Sequence, residues 1–167
     1  MSMSRALLIV LACTVITGAR AQSGWLDDGA WKEGEVPAPP AFSMDRLIRF
    51  EVNPNSPLVY AVDPQTISIS QADRVLRYVV VARSPSGGRN VFYEGLRCAT
   101  AEVKTYARHT GEAWVMMAEP QWAPMASRPS RHALMFARQG ACDIAGTPSQ
   151  PADVVRALRQ SAGSGNR

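Results

Sequence analysis

The feature that most constrains this chain is one strand-forming run with a tight turn behind it. Residues 74–83 read Arg-Val-Leu-Arg-Tyr-Val-Val-Val-Ala-Arg. Side chains alternate across a strand, so Leu76, Tyr78, Val80 and Ala82 share one face and Val75, Arg77, Val79, Val81 and Arg83 the other. Both faces are apolar at mid-run, which places this strand in the centre of a sheet. Ser84-Pro85-Ser86-Gly87-Gly88 comes next. Two glycines there permit the positive φ that hairpin turns require, so residues 90–98 are expected to pair back antiparallel.

The flanking sequence keeps the same punctuation. Residues 47–52 and 58–62 read as strands around the turn cluster Asn53-Pro54-Asn55-Ser56-Pro57. Residues 66–70 alternate Ile67 and Ile69 with serines, a short edge strand with one wet face. Residues 102–108 set Glu102, Lys104, Tyr106 and Arg108 against Val103, Thr105 and Ala107, so the first set is expected to face solvent. Residues 113–118 make a last strand. Pro120, Pro124 and Pro129 break up the next stretch, and residues 130–138 then suit a short helix that Gly140 ends. Residues 151–161 have helical composition, with Val154, Val155 and Leu158 at compatible spacing. The fold expected is α+β: an antiparallel meander of about six strands, one face covered by the 130–138 helix. The last helix either packs or hangs free, and residues 163–167 form a disordered tail.

Ahead of this block, Arg5, an apolar stretch over residues 6–18 and Ala19-Arg20-Ala21 have the pattern of a cleavable secretory signal. The apolar stretch is far below the ~20 residues of a membrane span, so a transmembrane protein is not expected and the periplasm is the expected compartment. A lipoprotein signal acylated at Cys13 is the minor alternative. The organisation is then a signal over 1–21, a Trp/Pro-rich linker over 22–41 containing Trp25, Trp31 and Pro37-Ala38-Pro39-Pro40, a β-rich domain over 42–145, and a C-terminal helix and tail over 146–167. Removing Arg5 and Arg20 from the 18 basic residues leaves 16 against 14 acids, a mature charge of only about +2. The basic residues are scattered rather than striped, which argues against a nucleic-acid partner. Of three cysteines Cys13 leaves with the signal, and in an oxidising compartment Cys98 and Cys142 are expected to pair; two buried free thiols are the alternative.

The stretch Arg89-Asn90-Val91-Phe92-Tyr93-Glu94-Gly95-Leu96-Arg97-Cys98-Ala99-Thr100 resembles the central signature of a family of small proteobacterial envelope proteins named after a cryptic neisserial protein. Trp31 with residues 37–40, the Arg77-Tyr78-Val79-Val80 strand, and Trp122 followed by a helix and Cys142 fit the same pattern. The resemblance runs from about Trp31 to Cys142. It implies an exported domain with paired cysteines and supplies no catalytic residue.

Glu94 breaks its own pattern, because it shares an otherwise apolar face with Phe92, Leu96 and Cys98. A buried carboxylate needs a partner. Arg77 or Arg97 is expected to provide it, unless a bulge at Gly95 turns Glu94 outward or Glu94 binds a ligand. His109 and His132 are the only histidines. With both cysteines oxidised no zinc ligand set remains, and no cofactor is expected. No Gly-x-Ser-x-Gly element occurs. The sequence therefore favours a non-catalytic envelope domain that binds a partner protein or an anionic or saccharide polymer. Its candidate residues are Glu94, Arg97, Tyr106, Arg108, Trp114 and Trp122, where aromatic rings lie near guanidinium groups. The alternative is a small hydrolase-like enzyme using Glu94 with Arg97 or His109.

Overall fold

A computed structural model describes residues 31–164. The expected signal over 1–21, Cys13 and Trp25 lie outside the described residues. Within the described residues eight strands form one antiparallel sheet: β1 (Ile48–Phe50), β2 (Val59–Val62), β3 (Ser68–Ile69), β4 (Leu76–Arg83), β5 (Arg89–Arg97), β6 (Glu102–His109), β7 (Trp114–Met116) and β8 (Ala123–Pro124). The order is β1-β2-β4-β5-β6-β7. β2 pairs with the far end of β4 and β3 with its start, while β7 and β8 divide β6 in the same way. The two-residue β8 is too short and too Pro-rich to carry a period-2 signal, and it is the one strand of the sheet that the sequence runs do not mark.

β4 is central, as its two apolar faces require, and its side chains separate into two cores. On the first face Leu76, Tyr78, Val80 and Ala82 pack with Tyr60, Leu96, Val103 and Phe136. This face is covered by α1 (His132–Phe136), a π-helical turn (Ala137–Ala141) and α2 (Pro151–Ser164). The final helix is packed rather than free: Val154 and Leu158 are fully buried in this core. It comes close because position 140 has no side chain. A Cβ on Gly140, whose φ is +130°, would collide with the Ala157 Cβ.

On the second face Val79, Val81, Val91, Tyr93, Tyr106 and Ala107 pack with Val36, Phe42, Met44, Leu47 and Trp114. Residues 32–47 thus form a strap across the sheet. The disulfide Cys98–Cys142, with Cα atoms 5.6 Å apart, ties the end of β5 to the turn after α1. Closing a loop with a sequence separation of 44 stabilises the fold by about 4 kcal/mol on the chain-entropy argument.

The sheet departs from simple alternation at one place. Tyr93 pairs with Ala107 but Glu94 pairs with Thr105, so Tyr106 is an extra residue on β6. Beyond this bulge the parity of β6 reverses. Tyr106 and Ala107 both turn to the strap face, and Arg108 joins the helix-covered face opposite Phe92. The expectation that Lys104, Tyr106 and Arg108 share one wet face fails here: Tyr106 is 1% exposed.

Candidate functional site

Glu94 sits at the middle of a cross-strand row, because the register places Tyr78 of β4 and Thr105 of β6 directly opposite it. Its Oε2 accepts from the Tyr78 hydroxyl at 2.8 Å and its Oε1 from Thr105 Oγ1 at 3.1 Å. The fourth member comes from α1, where His132 Nε2 lies 2.8 Å from Glu94 Oε2 and Nδ1 lies 2.6 Å from Ser130 Oγ. The Tyr60 ring stacks on the imidazole at 5.4 Å and 7°. Glu94 is 3% exposed and His132 7%. Burial alone raises the pKa of a carboxyl, but the charge and hydrogen bond of His132, together with the Tyr78 and Thr105 hydroxyls, outweigh it and hold Glu94 below its ordinary value. Burial and the adjacent Glu94 push Tyr78 well above its own.

This arrangement corrects the expected partners of Glu94. Arg77 and Arg97 project from the opposite face, since each stands an odd number of residues from the inward positions of its strand. Arg77 pairs with Asp73 at 2.9 Å and Arg97 with Glu102 at 2.7 Å. The bulge is real, but its extra residue is Tyr106 on the neighbouring strand, and Glu94 stays inside. The hydrolase-like combination is not assembled either. His109 packs edge-on against Phe42 and Trp114 on the strap face. Serine, imidazole and carboxylate do stand in series at Ser130, His132 and Glu94. Glu94 also accepts from two hydroxyls and Tyr60 covers one face of the imidazole, so the row links α1 to the sheet.

A second polar array lies on the strap face. One carboxylate, Glu33, collects the Tyr106 hydroxyl at 2.5 Å, Lys104 Nζ at 2.6 Å and Trp122 Nε1 at 3.3 Å, with Arg77 3.7 Å away. Gly95, between Arg77 and Lys104 in the register, makes room for it: a Cβ there would lie 2.5 Å from the Tyr106 hydroxyl. Asp73 accepts from Arg77, from the Val75 amide and from the Gly34 amide of the strap. Burial would raise its pKa, but these bonds and that of Ser70 prevail and lower it to about 2. Asp63 likewise accepts the Ser43 amide and Arg46 Nε, both at 2.8 Å.

The candidate residues are thus divided between surfaces. Tyr106, Arg97, Trp114 and Trp122 belong to the strap face, Trp114 packed on Phe42 and Tyr93, Trp122 on Tyr106. Glu94 is enclosed on the other. Arg108 is exposed, its guanidinium 5.7 Å from the Phe92 ring centroid. It borders an open cleft of about 590 Å³ lined also by Thr105, Glu119, Gln121 and Arg128. Sequence reasoning missed His132, Glu33, Asp73 and Arg128. The signal for His132 was its spacing of four from Phe136, which puts both on the buried side of one helical turn. For the other three no pattern within one element marks the partner.

Among the described residues no group of three His, Cys, Asp or Glu side chains is placed to hold a metal ion. No helix among them is long and apolar enough to cross a membrane.

An eight-stranded antiparallel sheet, covered on one face by disulfide-tied helices and on the other by an N-terminal strap, defines a β-dominated α+β domain with three buried carboxylates, Asp63, Asp73 and Glu94. The sequence model of the CNP1-like family matches residues 27–159, and the chain belongs to that family. No curated protein and no solved structure matches the chain.

Proposed function

We propose that this is an exported, non-catalytic domain of the cell envelope that binds an anionic polymer through the cleft bordered by Arg108 and Arg128. Export is supported by the N-terminal signal pattern together with the Cys98–Cys142 bridge, since such bridges persist in oxidising compartments. The observation that carries the binding reading is Arg108, exposed and laid over Phe92 in a cleft that also holds Arg128. A guanidinium presents a planar fork to a carboxylate, and an aromatic ring beside it offers a stacking surface to a sugar. The enclosed Glu94 row holds the floor of this cleft in place through Thr105.

Calorimetric titration of the mature chain with oligogalacturonate, a carboxylated sugar chain, tests the reading, with a neutral maltooligosaccharide as comparison. Binding of the acidic chain alone, weakened ~10-fold by Arg108→Ala, is expected from loss of one charge-assisted contact. Equal binding by the variant, or binding of neither sugar, would refute it.

A further inference from the structure

The seat of Glu33 is built by the body of the domain. Lys104 and Tyr106 come from β6, Arg77 from β4 and Trp122 from the loop before β8. Glu33 alone comes from the strap. Two cations and two neutral donors gather around one carboxylate, and Asp73 matches the charge of only one of the cations. Arg77 is 2% exposed, and its Nε atom has no hydrogen-bond partner among the described residues. The surroundings are equally specific for the chain that carries the carboxylate. Buried Asp73 and Asp63 receive the backbone amides of Gly34 and Ser43, and Val36, Phe42 and Met44 lie on the apolar floor between them. A uronate polymer such as oligogalacturonate has no amide donor to offer Asp73 and Asp63.

We propose that the strap face is a recognition site for an extended acidic peptide segment of a partner protein, and that residues 32–47 occupy it as an internal ligand. The segment recognised presents a carboxylate to Lys104, Tyr106, Trp122 and Arg77, a backbone amide to Asp73, and apolar side chains some residues later. The prolines at 37, 39 and 40 keep the strap extended between its two anchors and lower the entropy lost on docking. Tethering makes the internal ligand a strong competitor, because a short linker supplies an effective concentration on the order of millimolar. An outside segment therefore gains access when the grip on Glu33 is weakened. The site lies on the opposite face from the Arg108 cleft and does not depend on it.

The test uses the full mature chain and a fluorescent peptide of residues 32–47. In fluorescence anisotropy, Glu33→Ala protein is expected to bind this peptide at least ~10-fold more tightly than unaltered protein does, since its own strap competes less well. The same peptide carrying Glu33→Gln, or a scrambled peptide of the same composition, is expected to lose that binding. Thermal unfolding of Glu33→Ala protein guards against a folding defect, and its midpoint is expected to rise as the acidic peptide is added. Equal affinity of the two proteins, no binding to Glu33→Ala protein, or binding indifferent to the peptide's glutamate would overturn the proposal. So would displacement of the peptide by oligogalacturonate with Glu33→Gln peptide binding undiminished.

Discussion

Glu94→Gln isolates the charge at the centre of the buried row, because the side chain keeps its size and most of its hydrogen bonds. Glu94 Oε2 receives two donors at 2.8 Å, from Tyr78 and His132. A glutamine carbonyl can accept both, and its amide can donate to Thr105 once that hydroxyl reverses. What is lost is the charge assistance. A bond to a charged group contributes about 1.5–3 kcal/mol net and a neutral one about 0.5–1.5, so two bonds lose roughly 2–3 kcal/mol. Glu94→Ala removes the acceptor altogether and opens a cavity beside three polar groups, costing ~3–5 kcal/mol or more. The assay is urea unfolding followed by circular dichroism from acid to neutral pH, with the disulfide intact. Glu94 has a folded pKa below its unfolded value. Its contribution is therefore fully present above the unfolded value and is lost as pH falls through the folded one. The acid limb of the stability curve should be shallower in Glu94→Gln than in the unaltered protein. A variant within ~0.5 kcal/mol of the unaltered protein at neutral pH, with the same acid limb, would show that the carboxylate is not the ionised centre of the row.

Asp73→Asn should cost ~3 kcal/mol in the same assay, because it takes the nearer carboxylate from the buried Arg77 guanidinium and leaves only Glu33, 3.7 Å away. With Asp73 held at about 2, its own stabilisation of roughly 2 kcal/mol is complete above the ordinary carboxylate range and disappears as pH falls toward 2. Gly95→Ala forces the Tyr106 ring aside and should destabilise by ~1–3 kcal/mol while loosening Glu33, which faster hydrogen exchange at the Gly34 amide would report. Reduction of Cys98–Cys142 should lower unfolding stability by about 4 kcal/mol, read from urea midpoints with and without dithiothreitol.

Much of the sheet was legible because its pattern is local. The two apolar faces of residues 76–82 announce a central strand, and the glycines after it announce the hairpin. Cys98 and Cys142 pair as expected, and β6 was located correctly. Its faces were not, because the bulge at Tyr106 shifts parity by one residue without any Gly, Pro or Asn to mark it. The burial of Glu94 was legible from its apolar neighbours, whereas its partner was not. Arg77 and Arg97 looked suitable by charge, but period-2 geometry sends them to the other face, and the histidine arrives from a helix far along the chain. The stretch around Pro37 to Pro40 has linker composition. What fixes it to the sheet is Glu33, Phe42 and Ser43 meeting groups from distant strands, and no local periodicity encodes such contacts.

Amide NMR of residues 22–167 during addition of oligogalacturonate locates the contact surface directly. Shifts should be concentrated at Phe92, Thr105, Arg108 and Arg128, with the Gly34 and Ser43 amides of the strap unmoved. Perturbations centred on the strap, or none at a ligand excess that saturates a weak site, would contradict the assignment of the acidic-polymer cleft.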